Sequence, residues 1–497
     1  MRKYPKNVSH WIDGKELPSK SGLFIEKVNP ADGVVLGQVA SGKKEDVAEA
    51  VNKASEKFIE WNGTSIIERA DILRKAALSI IERKEEIAEV VHLETGKSMK
   101  EALAEVNGAI ELGFFMAGEG RRFYGKTTSS AMENRMAYTI RQPVGVCALI
   151  VPFNTPIANV VWKAFPALLC GNAVVLKAAS DTPYTPIWFA KILKEAGLPA
   201  GVFNVVQGRG EEVGCTLVED SRIDLISFTG STETGRYIQS TAGSRLVKIS
   251  LELGGKNPLI VCDDADLEEA VNFAVLSAFS NAGQRCSSGS RIIVFEKVYE
   301  KFKKLFLDKT KKLKVGSSDN DDLGPVINQR QLNNILDCLE EIEKKKEPRL
   351  LYGGYRLTSK EYKDGYYLSP TILETKKFNG LNHQTIDTLY DQTELFGPVT
   401  CLYKVKDLKA AIELTNNSPY GLTAAIHSRS HDRIQYFIQH ARMGVISVNG
   451  PTYGSEPHLP FGGLRSSGRG WREPGTEALD FYSEWKTIYI KHDPSKI

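Results

Sequence analysis

The stretch Val144-Gly145-Val146-Cys147-Ala148-Leu149-Ile150-Val151-Pro152-Phe153-Asn154-Thr155-Pro156 decides the architecture. Residues 142–162 carry no charge, and their number matches the ~20 apolar residues of a membrane span. Pro143, Pro152 and Pro156 interrupt the run, while Asn154 and Asn159 put amides into it. These prolines and amides make it a poor match to the predominantly apolar helix a span needs. The segment reads instead as an apolar strand over 144–151, a tight turn, and a buried helix over 158–169. Working outward, strands are predicted over 173–176, 202–206, 225–228 and 259–261, with a helix over 186–195. Apolar strands alternating with helices imply a parallel, doubly wound sheet buried on both faces. A second α/β unit is predicted from about Leu267, with a strand over 292–295 and a Lys-rich helix over 298–313.

Upstream, Val47, Val51, Ala54 and Phe58 share one helical face. Leu73, Ala76, Ala77, Ile80, Ile81 and Ile87 extend that pattern through a second helix. It ends at Glu94-Thr95-Gly96-Lys97, where Gly96 is expected as a left-handed cap. Near the end of the chain, residues 484–490 alternate polar and apolar like an edge strand seeking a partner.

The chain has 497 residues, 42% of them hydrophobic, and 64 Lys and Arg against 61 Asp and Glu give a net charge of +3. That length predicts two to four domains. The near-neutral balance recommends neither nucleic acid nor an acidic membrane as partner. Seven cysteines, the nearest pair 23 positions apart, exclude zinc ribbons and redox CxxC motifs. No apolar segment follows the basic start at Arg2, Lys3 and Lys6, so no signal peptide is expected. A soluble protein of the cytoplasm is the expectation.

Four places carry chemistry-bearing residues. Phe228-Thr229-Gly230-Ser231-Thr232-Glu233-Thr234-Gly235 takes a strand into a glycine turn and a helix, where backbone N–H groups could receive a pyrophosphate. An ordinary strand-to-helix turn reads the same way, as does Gly208-Arg209-Gly210. Cys286 lies among small and polar residues in Gly283-Gln284-Arg285-Cys286-Ser287. A reactive thiol needs partial exposure and an electropositive setting, which Arg285 and nearby N–H groups would supply; an inert half-buried thiol is the alternative. Glu252 stands between Leu251 and Leu253 with Gly254 and Gly255 behind it. Burial would raise its pKa toward that of a general base, whereas a strand-edge carboxylate facing water would stay ordinary. Asn154, fixed between two prolines, is either an oxyanion donor or a turn residue. His427 and His431 lie in an expected loop without an adjoining Glu, so no metal site is expected. His383, His440 and His458 show no setting that would pair with Cys286.

These pieces, with Val175-Leu176-Lys177, Glu394-Leu395-Phe396-Gly397-Pro398-Val399 and Pro460-Phe461-Gly462-Gly463, occur in the order and approximate spacing of the aldehyde dehydrogenase superfamily. The chain resembles that superfamily from Trp11 to Thr487. The resemblance implies an α/β, aldehyde dehydrogenase-like fold. Its Rossmann-like cofactor domain would span residues 1–120 and 142–253, and its α/β catalytic domain residues 254–454. A bridging oligomerisation arm would span 121–141 and 471–497.

By likeness, Cys286 is the nucleophile, Glu252 the base, and Asn154 with the Cys286 N–H the oxyanion hole. Lys177 and Ser180 fall at the adenosine ribose, Gly230 and Ser231 at the pyrophosphate, Glu394 at the nicotinamide ribose, and Phe396 beside the ring. Thr155, Asn159, Trp162, Arg285, Ser287 and Ser455 would line the substrate tunnel. The implied reaction is NAD(P)-dependent oxidation of an aldehyde to its acid, by a homodimer or homotetramer. Polar residues at 155, 159 and 455 suggest a small polar aldehyde or semialdehyde. Ser180 stands where NAD-preferring members often carry an acid, and Arg209 adds a cation, which suggests NADP as well as NAD. The alternatives are a CoA-acylating semialdehyde dehydrogenase, disfavoured by Glu252, and a non-catalytic relative retaining the fold.

Overall fold

Residues 142–162 fold as a strand, a turn and a helix, with the strand at Val146–Ile150 and the helix at Pro156–Leu169. In this computed structural model, which describes residues 4–376, 378 and 389–496, the helix starts two residues before its predicted position. Pro156 explains the shift. It occupies the first turn, where a missing N–H leaves no helical bond unmade. All five residues of the strand are buried. Cys147 and Leu149 join one apolar cluster while Val146, Ala148 and Ile150 join another. Alternate side chains therefore leave opposite faces into two separate cores, which is why the run shows no polar alternation.

The sheet has eight strands in the order Gly468–Arg469, Lys248–Glu252, Leu225–Thr229, Val146–Ile150, Ala173–Lys177, Phe203–Val206, His10–Ile12 and Lys15–Leu17. The run from Lys248–Glu252 to Phe203–Val206 is parallel, and the Gly468–Arg469 and His10–Ile12 strands join it antiparallel. From Val146–Ile150 the chain builds outward first to one side and then to the other. The crevice at that reversal, above the carboxyl ends of the strands, is where such sheets bind ligands.

A second, seven-stranded sheet runs Arg349–Tyr352, Thr371–Glu374, Val399–Val405, Gly289–Phe295, Asn257–Val261, Thr423–His427 and Val445–Val448. Here the sequence expectation needs correction. The 259–261 strand does not continue the first sheet but lies inside the second, because the chain leaves the first at Glu252 and crosses over through Leu253-Gly254-Gly255-Lys256. The 484–490 strand is present as Ser483–Lys491. It pairs antiparallel with Arg135–Pro143, which also carries Thr127–Thr128.

The expected second helix is two helices, Ile66–Glu82 and Lys84–Thr95. Arg83 between them leaves helical geometry at φ −120° and ψ 24°, and its guanidinium bonds Glu86 and Glu195. Ile81 consequently faces solvent while Ile87 is buried. Gly96 caps the later helix in the left-handed region, at φ 73°. Among the described residues, no helix is long and apolar enough to cross a membrane.

Candidate active site

The helix Leu267–Phe279 runs into a loop whose Asn281 and Ala282 both hold φ 53°. Gly283, at φ +67°, lies so close to the Gly397 carbonyl that any side chain would collide with it. The loop delivers Cys286 to a cavity of about 1130 Å³ between the two sheets. Glu252, the last residue of its strand, and Asn154, in the turn after Val146–Ile150, line the same cavity. Gly230, Ser231, Glu394 and Phe396 also face it, as do Thr155, Asn159, Trp162, Arg285, Ser287 and Ser455.

Glu252 is 6% exposed, so the alternative of a water-facing edge carboxylate fails. Its Oε2 has no hydrogen-bond partner. Burial raises its carboxyl well above the usual range, helped by Glu473 and opposed by Lys163 and Arg472. Lys163 and Glu473 form a buried ion pair at 3.1 Å, and Glu473 also accepts from Ser227 and Tyr482. Sequence reading missed both. The available signal was Lys163 itself, a lone charge within the apolar 156–169 helix.

Cys286 is partly exposed to the cavity. Burial pushes its thiol up to about 12, Glu394 and Glu252 push the same way, and Arg285 opposes them. This corrects the expected electropositive setting. Two carboxylates outweigh one guanidinium, so the resting group is the protonated thiol. The Cys286 carbonyl is held by Asn257 Nδ2 at 2.7 Å and packs against Gly255. Glu394 accepts from the Gly255 N–H at 2.9 Å and lies so near Gly254 that a Cβ there would collide with its carboxylate. Burial raises the Glu394 carboxyl to about 7. Phe396, at φ 51°, sets its ring edge-on to Phe153 at 5.7 Å.

The glycine turn opens a helix at the cavity: Gly230 and Ser231 line it, and Ser231 caps the helix Thr232–Gly243 by accepting from the Thr234 N–H. Lys177, Ser180 and Arg209 do not line the main cavity. Ser180 donates to the Gly208 carbonyl at 3.1 Å, which joins it to the Gly208-Arg209-Gly210 turn, and Arg209 is exposed there. Burial lowers Lys177 to about 8, while Asp181 and Glu211 resist the shift. Those two carboxylates were not foreseen, and they reduce the positive character expected at Ser180.

The tunnel is less polar than its sequence. Asn159 Nδ2 donates to Thr155 Oγ1 at 2.7 Å, so these two side chains satisfy each other. Trp162 meets Phe461 edge-on at 5.6 Å. The Arg285 guanidinium stacks over Tyr453 at 4.9 Å, and its buried Nε has no hydrogen-bond partner.

His427 ends the Thr423–His427 strand and His431 opens a helix, rather than both sitting in one loop. No group of three or more His, Cys, Asp or Glu that could hold a metal ion occurs among the described residues. His383 lies outside them, as does Ile497 at the end of the expected arm.

A thiol held near 12 reacts through its thiolate fraction. Alkylation of Cys286 by iodoacetamide, followed on its own peptide by mass spectrometry, should rise about tenfold per pH unit from 7 to 10 in the free protein. A plateau reached by pH 8 would contradict the assigned electrostatics.

Comparison with known proteins agrees with this geometry. Residues 17–488 match the aldehyde dehydrogenase family. The chain is 40% identical to 2,5-dioxopentanoate dehydrogenase of Saccharolobus solfataricus, over 98% of this chain and 99% of that protein. It is 38% identical to alpha-ketoglutaric semialdehyde dehydrogenase of Bacillus subtilis, over 97% and 98%. D-glyceraldehyde dehydrogenase (NADP(+)) of Thermoplasma acidophilum is 33% identical, over 97% and 96%. The crystal structure of Staphylococcus aureus betaine aldehyde dehydrogenase with NAD+ superposes with a TM-score of 0.93 at 32% identity, covering 98% of this chain and 95% of that one. With fold and nearly the full length in agreement, the chain belongs to the aldehyde dehydrogenase family.

Proposed function

We propose that Cys286, Asn154 and Glu252 carry the NAD(P)-dependent oxidation of a short semialdehyde with a distal carboxylate. One observation supports this most: a thiol, an amide with its buried Oδ1 unpartnered and a carboxylate with its buried Oε2 unpartnered meet on one cavity. The Cys286 sulfur attacks the aldehyde carbon as its proton passes to solvent in the cavity, forming the C–S bond and moving the C=O π pair onto oxygen. Asn154 Nδ2 and the Cys286 N–H donate to the oxygen that becomes negative. NAD(P), which Ser231, Glu394 and Phe396 would hold on the same cavity, would supply the hydride acceptor that turns the thiohemiacetal into a thioester. Glu252, buried with its Oε2 unpartnered on the cavity, removes a proton from water as that water attacks the thioester. The acid departs and the Cys286 thiol is restored. Glu252→Gln should give one equivalent of NAD(P)H in a rapid burst and then stall as thioester. Sustained wild-type turnover in that variant would refute the assignment.

Arg285 supports the carboxylate end of the substrate. It brings a positive charge and an unpartnered buried Nε to the tunnel, and two relatives are named for the semialdehyde of alpha-ketoglutarate or for 2,5-dioxopentanoate. NADP is proposed to serve at least as well as NAD, because Ser180 has no charge to repel a 2′-phosphate. One kinetic matrix tests both readings, with 2,5-dioxopentanoate, succinate semialdehyde and hexanal against each cofactor. Arg285→Met should lower kcat/KM for the two acids about 10–100-fold, the worth of a charged hydrogen bond of about 1.5–3 kcal/mol, and spare hexanal. Ser180→Glu should shift preference toward NAD. Wild-type preference for hexanal, or NAD favoured more than about tenfold (about 1.4 kcal/mol), would overturn the respective reading.

The outer edge of Ser483–Lys491 is unpaired, and Trp485, Tyr489 and Ile490 are exposed there. Such an edge invites a further strand, and a second copy of this chain is proposed to cover it in a homodimer or homotetramer. Light scattering should report an oligomer that is lost when residues after Tyr482 are deleted; a stable full-length monomer would refute it.

A further inference from the structure

Gly96 turns the chain so that Lys97 points inward, where its side chain is 5% exposed. The Lys97 ammonium lies 2.8 Å from Glu105 Oε2 and donates at 2.8 Å to the Asn154 carbonyl. Glu105 does more than neutralise it. Its other oxygen accepts from the Ile157 N–H at 3.0 Å and the Ala158 N–H at 3.4 Å. Those groups belong to the first turn of Pro156–Leu169, where the N-cap residue Thr155 makes no side-chain cap. One buried ion pair thus grips the Asn154-Thr155-Pro156 turn at both ends.

The same carbonyl ties this turn to the nucleophile loop. Asn281 Nδ2 donates to the Asn154 carbonyl and to the Gln284 carbonyl, each at 3.2 Å. The Asn281 N–H is held by Glu101 Oε1 at 2.8 Å. Asn281 and Ala282 carry the left-handed conformation that only surrounding contacts maintain. Lys97, Glu105 and Asn281 therefore connect the backbone that bears Asn154 to the backbone that bears Cys286. Pure packing does not require charge here, since an apolar pair of similar volume is often at least as stable as a buried ion pair.

We propose that Lys97 and Glu105 are positioning residues for carbonyl addition, fixing the Asn154 amide relative to the Cys286 sulfur. This rests on the roles given above to Asn154 and Cys286. Neither residue touches the reacting atoms; they act through the turn that bears the donor.

The test is a double-mutant cycle on the full-length enzyme, read as the single-turnover rate of NAD(P)H formation. Asn154→Ala should slow that rate about a hundredfold or more, as loss of an oxyanion donor does. Lys97→Met should slow it about ten- to a hundredfold, the effect of a small misplacement. The pair together should be no slower than Asn154→Ala alone, because Lys97 acts through Asn154. Cofactor KM and the rate of Cys286 alkylation should stay at wild-type values in Lys97→Met. Multiplicative effects in the pair, an unchanged rate in Lys97→Met, or an equal loss of cofactor binding and alkylation would each overturn the proposal. An unchanged rate in Asn154→Ala would instead refute the oxyanion assignment, and the positioning role with it. Should Lys97→Met fail to fold, Lys97→Met with Glu105→Gln, which leaves no unpaired charge, takes its place in the cycle. Failure of both to fold would make the pair a folding element and overturn the proposal.

Discussion

The crossing Leu253-Gly254-Gly255-Lys256 between the two sheets is the constraint on which the site depends. Glu252 ends the strand before it and Asn257 begins the strand after it. Within those four residues the backbone must pass the Glu394 carboxylate at Gly254 and the Cys286 carbonyl at Gly255, with no room for a Cβ at either. Glu252, the Cys286 loop and the Glu394 carboxylate are thereby held around one short connection. Their relative positions follow from sheet register and steric exclusion rather than from flexible side chains.

Electrostatics in this crowded place favours neutral resting forms. Burial dominates the shifts of Glu252, Glu394 and Cys286, and the carboxylates reinforce the thiol's shift. A low-dielectric cavity that raises all three groups disfavours the simultaneous presence of three negative charges. Among the tunnel groups, Arg285 carries the positive charge that opposes the trend.

Much of this was legible along the chain. The 142–162 run announced a strand, a turn and a helix because parallel strands bury both faces and proline forbids a longer helix. Gly96 marks a position where left-handed backbone geometry favours glycine, and Gly230 one where the Phe228 ring leaves no room for a Cβ. The ordered motifs singled out Cys286, Glu252 and Asn154, which the cavity unites. What stayed hidden depends on contacts between distant segments. The break at Arg83 leaves the apolar period nearly intact, so only the backbone reveals it. The mutual bond of Asn159 and Thr155 changes how polar the tunnel is without changing a letter. Lys97, just ahead of the helix Met99–Gly118, and Glu105 within it read as ordinary charges until Asn154, some fifty residues later, is folded against them. Asp181 and Glu211 reach Lys177 by the same kind of tertiary route.

The pairing of Lys163 with Glu473 carries a consequence for how the protein is made. The first sheet opens with strands at the amino terminus, yet its last strand is Gly468–Arg469, and the partner of its buried lysine comes just after. On the ribosome, that lysine must wait through the whole second sheet for its counter-charge, and an unpaired buried ammonium is costly. The dinucleotide half of the protein is thus denied its finished interior until synthesis is almost complete. A chain cut short before Glu473 retains Cys286, Glu252 and Asn154, but not the carboxylate that neutralises Lys163 beside Glu252.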